Sequence, residues 1–283
     1  MIYVSSSCVK NKRINHSVEE LAQNGFQNIE LSGGTEYYEN LELDLLELKD
    51  KYNLNYRCHN YFPPPTKHFV LNLASLNEET HNASLNHLKK VIKLSELLGS
   101  NKFGFHAGFF IDIRVSEIGK KISKENLFDK KESISRFCEA FKFLKKINPS
   151  MILFIENNVF SKTNSETYVN ENPFMMTNFL DYQNLKEKID FQLLLDVAHL
   201  KVSAKSLGLN WKEEFENMMN ESHYIHVSNN DGFHDLNNLI KKSSALLGMI
   251  REAETKNKDF TLEIYEDIYA IKTSYELLEE AVM

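Results

Sequence analysis

Six ionisable side chains stand at the same relative position in six successive strand-like stretches of the chain. Each follows a short run of apolar or strand-forming residues: His59, His106, Glu156, Asp196, His226 and Glu263. Burying that many such groups without partners would cost several kcal/mol each, so they need a metal ion or mutual pairing. Carboxylate oxygens together with imidazole nitrogen suit manganese, zinc, magnesium or cobalt. We therefore predict a divalent metal held by Glu156, Asp196, His226 and Glu263, and no organic cofactor.

Asp196 has the clearest placement of the four. Leu193, Leu194 and Leu195 precede it, and such an apolar run is typical of a strand that is covered on both faces, as in a parallel sheet wrapped by helices. Asp196 then stands where this strand emerges, and His199 lies on the first residues beyond it.

Other polar residues lie near the same strand ends. His59 and His106 each end a strand, and the sequence leaves open substrate contact, further metal ligation or structural hydrogen bonding for both. His199 lies close to Asp196, and two more residues occupy the loop after His226. The candidate substrate-binding residues are His59, His106, His199, Asp231 and His234. Five further histidines have no such placement and are assigned to the surface or to packing: His16, His68, His81, His87 and His223.

Eight strand-like stretches must position these residues. They cover residues 2–9, 26–31, 54–58, 102–105, 151–155, 193–195, 224–225 and 260–262. Helical patterns alternate with them, which implies parallel strands joined by crossovers. Closure into a (β/α)8 TIM barrel would bring all six strand ends to one mouth, where barrel enzymes have their active sites. A doubly wound open sheet is the alternative, but its usual Gly-rich turn after the first strand is absent from residues 5–8.

The segments between the strands carry helix signals and two longer loops. Ser17 and Glu20 form a capping box that predicts a helix start at Ser17. The segment at about 109–130 is longer than a minimal connection, so we expect it to fold over the site as a lid. We also expect a polar loop over 157–172, a helix around 174–185 and another over 236–253.

Composition limits the class of protein. The chain has 283 residues, 42% hydrophobic and 26% charged, which fits one globular TIM-barrel domain over residues 1–283. The net charge of -7 disfavours nucleic acid as a partner, because phosphate-backbone binding needs a basic surface. Three isolated cysteines suggest neither a disulfide framework nor a thiolate zinc site. No membrane span or leader segment is expected, the reducing cytoplasm is the simplest compartment, and a homo-oligomer is a general expectation for such barrels.

Short motifs in a fixed order resemble a known family. They are Gly25-Phe26-x-x-Ile29-Glu30-Leu31-Ser32, His59-Asn60, Asn72-Leu73-Ala74-Ser75, His106-Ala107-Gly108, Ile155-Glu156-Asn157, Leu195-Asp196-x-x-His199, His226-Val227-Ser228 and Leu262-Glu263. Over nearly the whole chain they resemble the sugar isomerase/epimerase-like barrels, also called xylose isomerase-like, which are related to apurinic-endonuclease-type barrels. Each motif is short and weakly specific, and the specificity comes from their order and spacing.

The resemblance implies a metal at the four residues named above, binding a hydroxy-ketone or hydroxy-aldehyde. In the epimerase members, the glutamates that match Glu156 and Glu263 also shuttle a proton at the carbon next to the carbonyl, through an enediolate. His199 and the flanking loop would hold substrate hydroxyls. The resulting prediction is an isomerase or epimerase of a small sugar or sugar phosphate, with a small-molecule carbohydrate as its partner.

The sequence departs from the family pattern at one place, and three alternative functions stay open. Related chains often have Asp after His-x-Ser, whereas this chain has Asn229 and Asn230 before Asp231, which weakens the case for a multi-zinc phosphodiesterase acting on abasic DNA. A keto-sugar or inosose dehydratase would use the same enediolate and expel water. A catalytically silent barrel that binds a sugar or a partner protein is the third alternative.

Overall fold

In the computed structural model, which describes residues 1–283, eight parallel strands form a closed barrel in chain order. The strands are Ile2–Ser5 (β1), Asn28–Leu31 (β2), Asn55–His59 (β3), Lys102–His106 (β4), Ile152–Glu156 (β5), Gln192–Asp196 (β6), Ser222–Val227 (β7) and Asp259–Leu262 (β8). Pairing of β1 with β8, with Val4 opposite Leu262, closes the barrel. The predicted (β/α)8 TIM barrel is confirmed, and the open doubly wound sheet is excluded.

Ten α-helices surround the barrel. They are Ile14–Gln23 (α1), Leu41–Tyr52 (α2), Glu78–Leu97 (α3), Lys130–Ile147 (α4), Lys162–Thr167 (α5), Phe179–Lys186 (α6), Val197–Leu207 (α7), Trp211–Glu221 (α8), Ala245–Glu252 (α9) and Ile268–Val282 (α10). Helices α3 to α10 each begin at a side-chain cap that accepts a backbone N–H, from Asn77 at α3 to Asp267 at α10. No helix combines the length and the apolar character that crossing a bilayer requires.

Residues on each strand alternate between the barrel interior and the helix layer. On β6, Leu193 and Leu195 belong to the main apolar core of 62 buried residues. Leu194, which lies between them, instead packs with Phe154 and Tyr224 in a separate buried cluster. The run of three leucines is therefore buried on both faces, as its composition predicts.

Several local predictions were wrong. Helix α1 begins at Ile14, and Ser17 lies buried with an unpaired hydroxyl, so it caps nothing. The helix predicted over 236–253 begins only at Ala245, because Asn237 has a φ of 48° and Asn238 pairs with Asn229. The predicted polar loop 157–172 contains α5, the predicted helix 174–185 begins only at Phe179, and β1 ends at Ser5 rather than at residue 9.

The segment 109–130, predicted to be a lid, follows β4 and packs against the connection after β5. Phe109 pairs with Phe174, and the amide of Ile122 donates to Asn164 Oδ1 at 3.0 Å. A buried apolar cluster fastens the two connections together: Ile111, Ile122, Phe160, Tyr168 and Phe174.

A charged cluster lies at the amino-terminal end of the barrel, opposite the predicted site. Asp259 Oδ2 accepts from Arg57 Nη2 at 2.6 Å and from Lys102 Nζ at 2.7 Å. The guanidinium of Arg57 is sandwiched between the rings of Tyr3 and Tyr224, 4.4 and 4.2 Å from their centroids. Arg57 is only 2% exposed, so its charge depends on Asp259.

Replacing Asp259 by Asn should leave that buried guanidinium unpaired. The expected loss is about 3–5 kcal/mol in the free energy of unfolding, the usual effect of removing one partner of a buried ion pair. Urea denaturation followed by circular dichroism measures it. Asp190→Asn, which breaks an exposed pair with Lys186, is the control and should change little; equal losses in both variants would contradict the assignment.

Candidate metal centre

Four buried donor groups converge at the carboxyl-terminal ends of four successive strands. Glu156 ends β5, Asp196 ends β6, His226 is the penultimate residue of β7, and Glu263 follows β8. Their exposed fractions are 1%, 2%, 0% and 8%. His226 Nδ1 lies 3.5 Å from Glu156 Oε1 and 3.6 Å from Glu263 Oε2, and the donor atoms of Asp196, His226 and Glu263 all lie within 4.8 Å of one another. The structure thus brings the predicted ligand set together.

Glu156 also joins this group to two further histidines. Its Oε2 atom lies 3.2 Å from His59 Nε2 and 3.1 Å from His106 Nδ1. His59 is buried, whereas the side chain of His106 is 25% exposed. His59, His106 and Glu156 form a second cluster of donor atoms within 4.8 Å of one another, and Glu156 also belongs to a third such cluster with Asp196 and His199.

Asp196 acts both as a strand end and as a helix cap. Its Oδ1 accepts the N–H of His199 at 2.7 Å, which starts α7. The cap fixes the rotation of the carboxylate and leaves Oδ2 3.8 Å from His199 Nε2. Asn157 links the ends of β5 and β6, because its side chain bonds the backbone N–H and carbonyl of Asp196 at 2.8 and 3.0 Å.

His199 is buried beside this cap and is held through both ring nitrogens. Nδ1 lies 3.0 Å from the carbonyl of Asn157, and Nε2 lies 3.2 Å from Asp235 Oδ2. Asp231 and His234, which we expected to contact substrate, lie 2.9 Å from each other, with side chains 43% and 55% exposed. Neither residue contacts the other predicted site residues, and Asp235 is the member of this loop that reaches the site.

Opposing effects set the protonation of the carboxylates. Burial raises the pKa of Asp196 to about 7, with His199 opposing and Glu156 adding to the rise. Burial also raises the pKa of Glu156, but the neighbouring His106 and His59 outweigh it and hold that pKa well below its usual value. For Glu263, burial is likewise outweighed, chiefly by His226, and the pKa is lowered.

The imidazoles show the complementary behaviour. Burial lowers the pKa of His226, but the carboxylates of Glu30 and Glu263 raise it well above the ordinary value. Burial brings the pKa of His106 down to about 4. Positive charge on His226 therefore balances the carboxylates that surround it.

Two buried atoms of these four residues lack hydrogen-bond partners, and they fit a cation. They are Glu156 Oε2 and His226 Nδ1. A buried polar atom left unsatisfied typically costs about 1–3 kcal/mol, and these two would gain a partner from a metal ion. Three carboxylates with one imidazole form an oxygen-rich set that suits hard or borderline divalent cations. The residues present fit the predicted metal.

Sequence reasoning assigned no role to three residues that shape the site: Glu30, Asn157 and Asp235. Glu30 is fully buried on β2, and its carboxylate contacts His226. An acidic residue between Ile29 and Leu31 in a buried strand was an available signal, because an unpaired charge there would be unfavourable. Asp235 had no comparable signal, since its neighbours Asp231 and His234 are of equally suitable types.

The chain belongs to the xylose isomerase-like TIM barrel family, whose family model matches residues 18–249. This confirms the resemblance seen in the sequence. No curated protein sequence matches the chain.

Solved structures with this fold cover 99% of the chain at low sequence identity. A D-tagatose 3-epimerase-like protein matches with a TM-score of 0.73 and 17% identity over 96% of its own chain. D-psicose 3-epimerase from Clostridium cellulolyticum, solved with D-tagatose, matches with a TM-score of 0.64 and 12% identity over 96% of its chain. Endonuclease IV from Thermus thermophilus matches with a TM-score of 0.62 and 14% identity over 99% of its chain. At these identities the likeness establishes the shared fold.

Replacing Asp196 by Asn should reduce metal binding, because it removes one of four converging carboxylate and imidazole ligands. The loss of affinity should exceed the roughly 10–100-fold that follows removal of a supporting partner of a ligand. Manganese content by mass spectrometry and the dissociation constant by calorimetry measure it. Asp231→Asn makes the same chemical change on an exposed side chain and should retain wild-type binding; an Asp196→Asn protein with unchanged manganese affinity would refute the ligand assignment.

Proposed function

We propose that this protein is a divalent-metal-dependent epimerase or isomerase of a small sugar or sugar phosphate. One observation carries the proposal: Glu156 and Glu263 reach the same buried atom, His226 Nδ1, from strands three positions apart in the barrel. Two carboxylates that approach one point from separate strands can reach opposite faces of a substrate bound between them. The names of two similar structures, a 3-epimerase-like protein and a 3-epimerase, support the same interpretation.

The residues of the chain supply the proton transfers. One glutamate takes the proton from the carbon next to the substrate carbonyl, and the other, after taking a proton from water, gives it to the opposite face. The first glutamate then returns its proton to water, so both are carboxylates at the start of the next turnover. A divalent cation held by Glu156, Asp196, His226 and Glu263 would polarise the carbonyl and stabilise the enediolate charge.

Substrate hydroxyls would meet the histidines that surround Glu156. His59, His106 and His199 all have a ring nitrogen within 3.7 Å of its carboxylate oxygens. His199 is the most firmly oriented of the three, because Asn157 and Asp235 hold its two ring nitrogens. The segment 109–130, fastened to the connection after β5, would cover the bound sugar and exclude water.

The cluster of His59, His106 and Glu156 favours a second candidate, a zinc-dependent phosphodiesterase acting on abasic DNA. This cluster offers donor atoms for a further ion beside the first, and endonuclease IV shares the fold. The net charge of -7 opposes binding to a phosphate backbone. Metal-dependent incision of an abasic duplex would favour this candidate, and a product lighter by one water would favour a dehydratase on the same site.

Single glutamate variants should separate proton exchange from epimerisation. We expect the manganese-loaded wild-type protein, incubated in heavy water with a panel of ketoses and aldoses, to form an epimer or isomer that carries solvent deuterium. Glu156→Gln and Glu263→Gln, each assayed with manganese in excess, should lose product formation by at least about 100-fold. Each variant should still exchange deuterium into the one substrate epimer whose proton faces the remaining carboxylate.

Nuclear magnetic resonance and mass spectrometry of the recovered sugars measure both events. Asp190→Asn is the control, since Asp190 is exposed and pairs with Lys186 rather than with any candidate site residue. Absence of deuterium incorporation by the metal-loaded wild-type protein across the whole panel would refute the proposed function. Product formation by either glutamine variant at the wild-type rate would refute the two-carboxylate scheme alone.

His199→Ala should mainly weaken substrate binding, because the ring is placed to contact hydroxyls while Asp196 keeps its carboxylate. We expect KM to rise about tenfold, equivalent to about 1.4 kcal/mol of binding, with manganese affinity near that of the wild type. Steady-state kinetics and calorimetry separate the two quantities. A drop in manganese affinity with unchanged KM would instead identify His199 as a metal ligand.

A further inference from the structure

The carboxylate of Glu30, buried inside the barrel, contacts the ring nitrogen of His226 that faces away from the donor cluster. Glu30 on β2 and His226 on β7 are both 0% exposed. The Nε2 atom of His226 lies 3.0 Å from Glu30 Oε1 and 3.3 Å from Oε2. The opposite ring nitrogen, Nδ1, is the one that faces Glu156 and Glu263.

Glu30 is itself fixed by the layer beneath the site. Thr261 Oγ1 donates to Glu30 Oε2 at 3.1 Å. The hydroxyl of Tyr224 lies 3.4 Å from His226 Nε2 and 3.5 Å from Thr261 Oγ1. The ring of Tyr224 in turn packs against the guanidinium of Arg57. A continuous column of contacts therefore connects the charged cluster at the amino-terminal end of the barrel to the imidazole at the mouth.

The position of Glu30 decides which nitrogen of His226 is available to a cation. An ionised carboxylate can only accept hydrogen bonds, so the nitrogen that faces it must carry the hydrogen. A neutral imidazole then has its lone pair on Nδ1. This atom lies among the carboxylates of the cluster and has no hydrogen-bond partner.

We propose that Glu30 is a positioning residue that fixes His226 with Nε2–H towards the barrel interior and presents Nδ1 to the metal. The inference rests on the metal centre in the proposed function and extends it to a residue that makes no contact with the cation. Its negative charge also makes the imidazole a stronger donor, as carboxylate partners of metal-ligating histidines generally do. Thr261 keeps the carboxylate in place, so the ring has a single orientation before the metal arrives.

Glu30→Gln tests the charge with almost no change in shape. We expect the dissociation constant for Mn²⁺, measured by calorimetry and electron paramagnetic resonance, to rise about 10-fold or more. Asp181→Asn is the matched control, because it also neutralises a carboxylate bonded to neighbouring groups, here Thr177 and Asn178. Both variants should melt at somewhat lower temperature, and only Glu30→Gln should lose manganese affinity.

A second measurement needs no variant. In wild-type protein with nitrogen-labelled histidine and a spin-active cadmium isotope, we expect a cadmium–nitrogen coupling at Nδ1 of His226 and a retained proton on Nε2. Coupling at Nε2, or no coupling at either ring nitrogen, would overturn the inference, as would wild-type manganese affinity in Glu30→Gln. The deuterium-exchange assay on the wild-type protein decides the proposed function separately, because it does not depend on which nitrogen binds the metal.

Discussion

Pairing between carboxylates and imidazoles is the interaction on which the mouth of this barrel depends. Glu30, Glu156, Asp196 and Glu263 are each at least nine-tenths buried, and each has a histidine nitrogen within 4 Å. Without those partners the carboxylates would repel one another and lose their hydration together. The histidines are thus needed to stabilise the folded protein with these carboxylates buried, in addition to any role in binding substrate or metal. A divalent cation would supply the same compensating charge from the centre of the group.

An apolar layer in the middle of the barrel separates two charged layers. Phe154, Leu194 and Tyr224 fill it, and Gly104 leaves room for them: a Cβ there would lie 2.6 Å from Leu194 Cδ1. Above this layer the carboxylates meet histidines, and below it Asp259 meets Arg57 and Lys102. Tyr224 spans the two layers, with its ring against Arg57 and its hydroxyl near His226 and Thr261.

The sequence predicts the barrel well, and it places Glu156, Asp196, His226 and Glu263 correctly at strand ends, because both follow from local patterns. A run such as Leu193–Leu195 ending in Asp196 identifies a buried strand and its functional end without any knowledge of distant residues. The contact between Glu30 and His226 joins positions 196 residues apart, so no local sequence pattern predicts it. The same limit explains why Asp235, rather than Asp231 or His234, reaches the site: the turn geometry of that loop decides which side chain points inward. The capping box at Ser17 failed for a related reason, since burial of Ser17 under the fold overrode a local capping preference.

Asp196 shows how a local prediction can be right about a strand end and still miss a second structural role of the residue that stands there. The sequence indicated a ligand at a strand end, but it did not predict that α7 begins there, with Asp196 as its cap. Because Asp196 is the cap, one residue forms both the end of β6 and the start of α7. The same hydrogen bond that starts the helix fixes the carboxylate rotation, and the first turn of the helix carries His199 back over the cluster. Because Asn157 ties the backbone of Asp196 to β5 and the carbonyl of Asn157 also meets His199, the Asp196 carboxylate, the helix start and the histidine cannot move independently. A shift of the Asp196 backbone would therefore move the carboxylate, the helix start and His199 together.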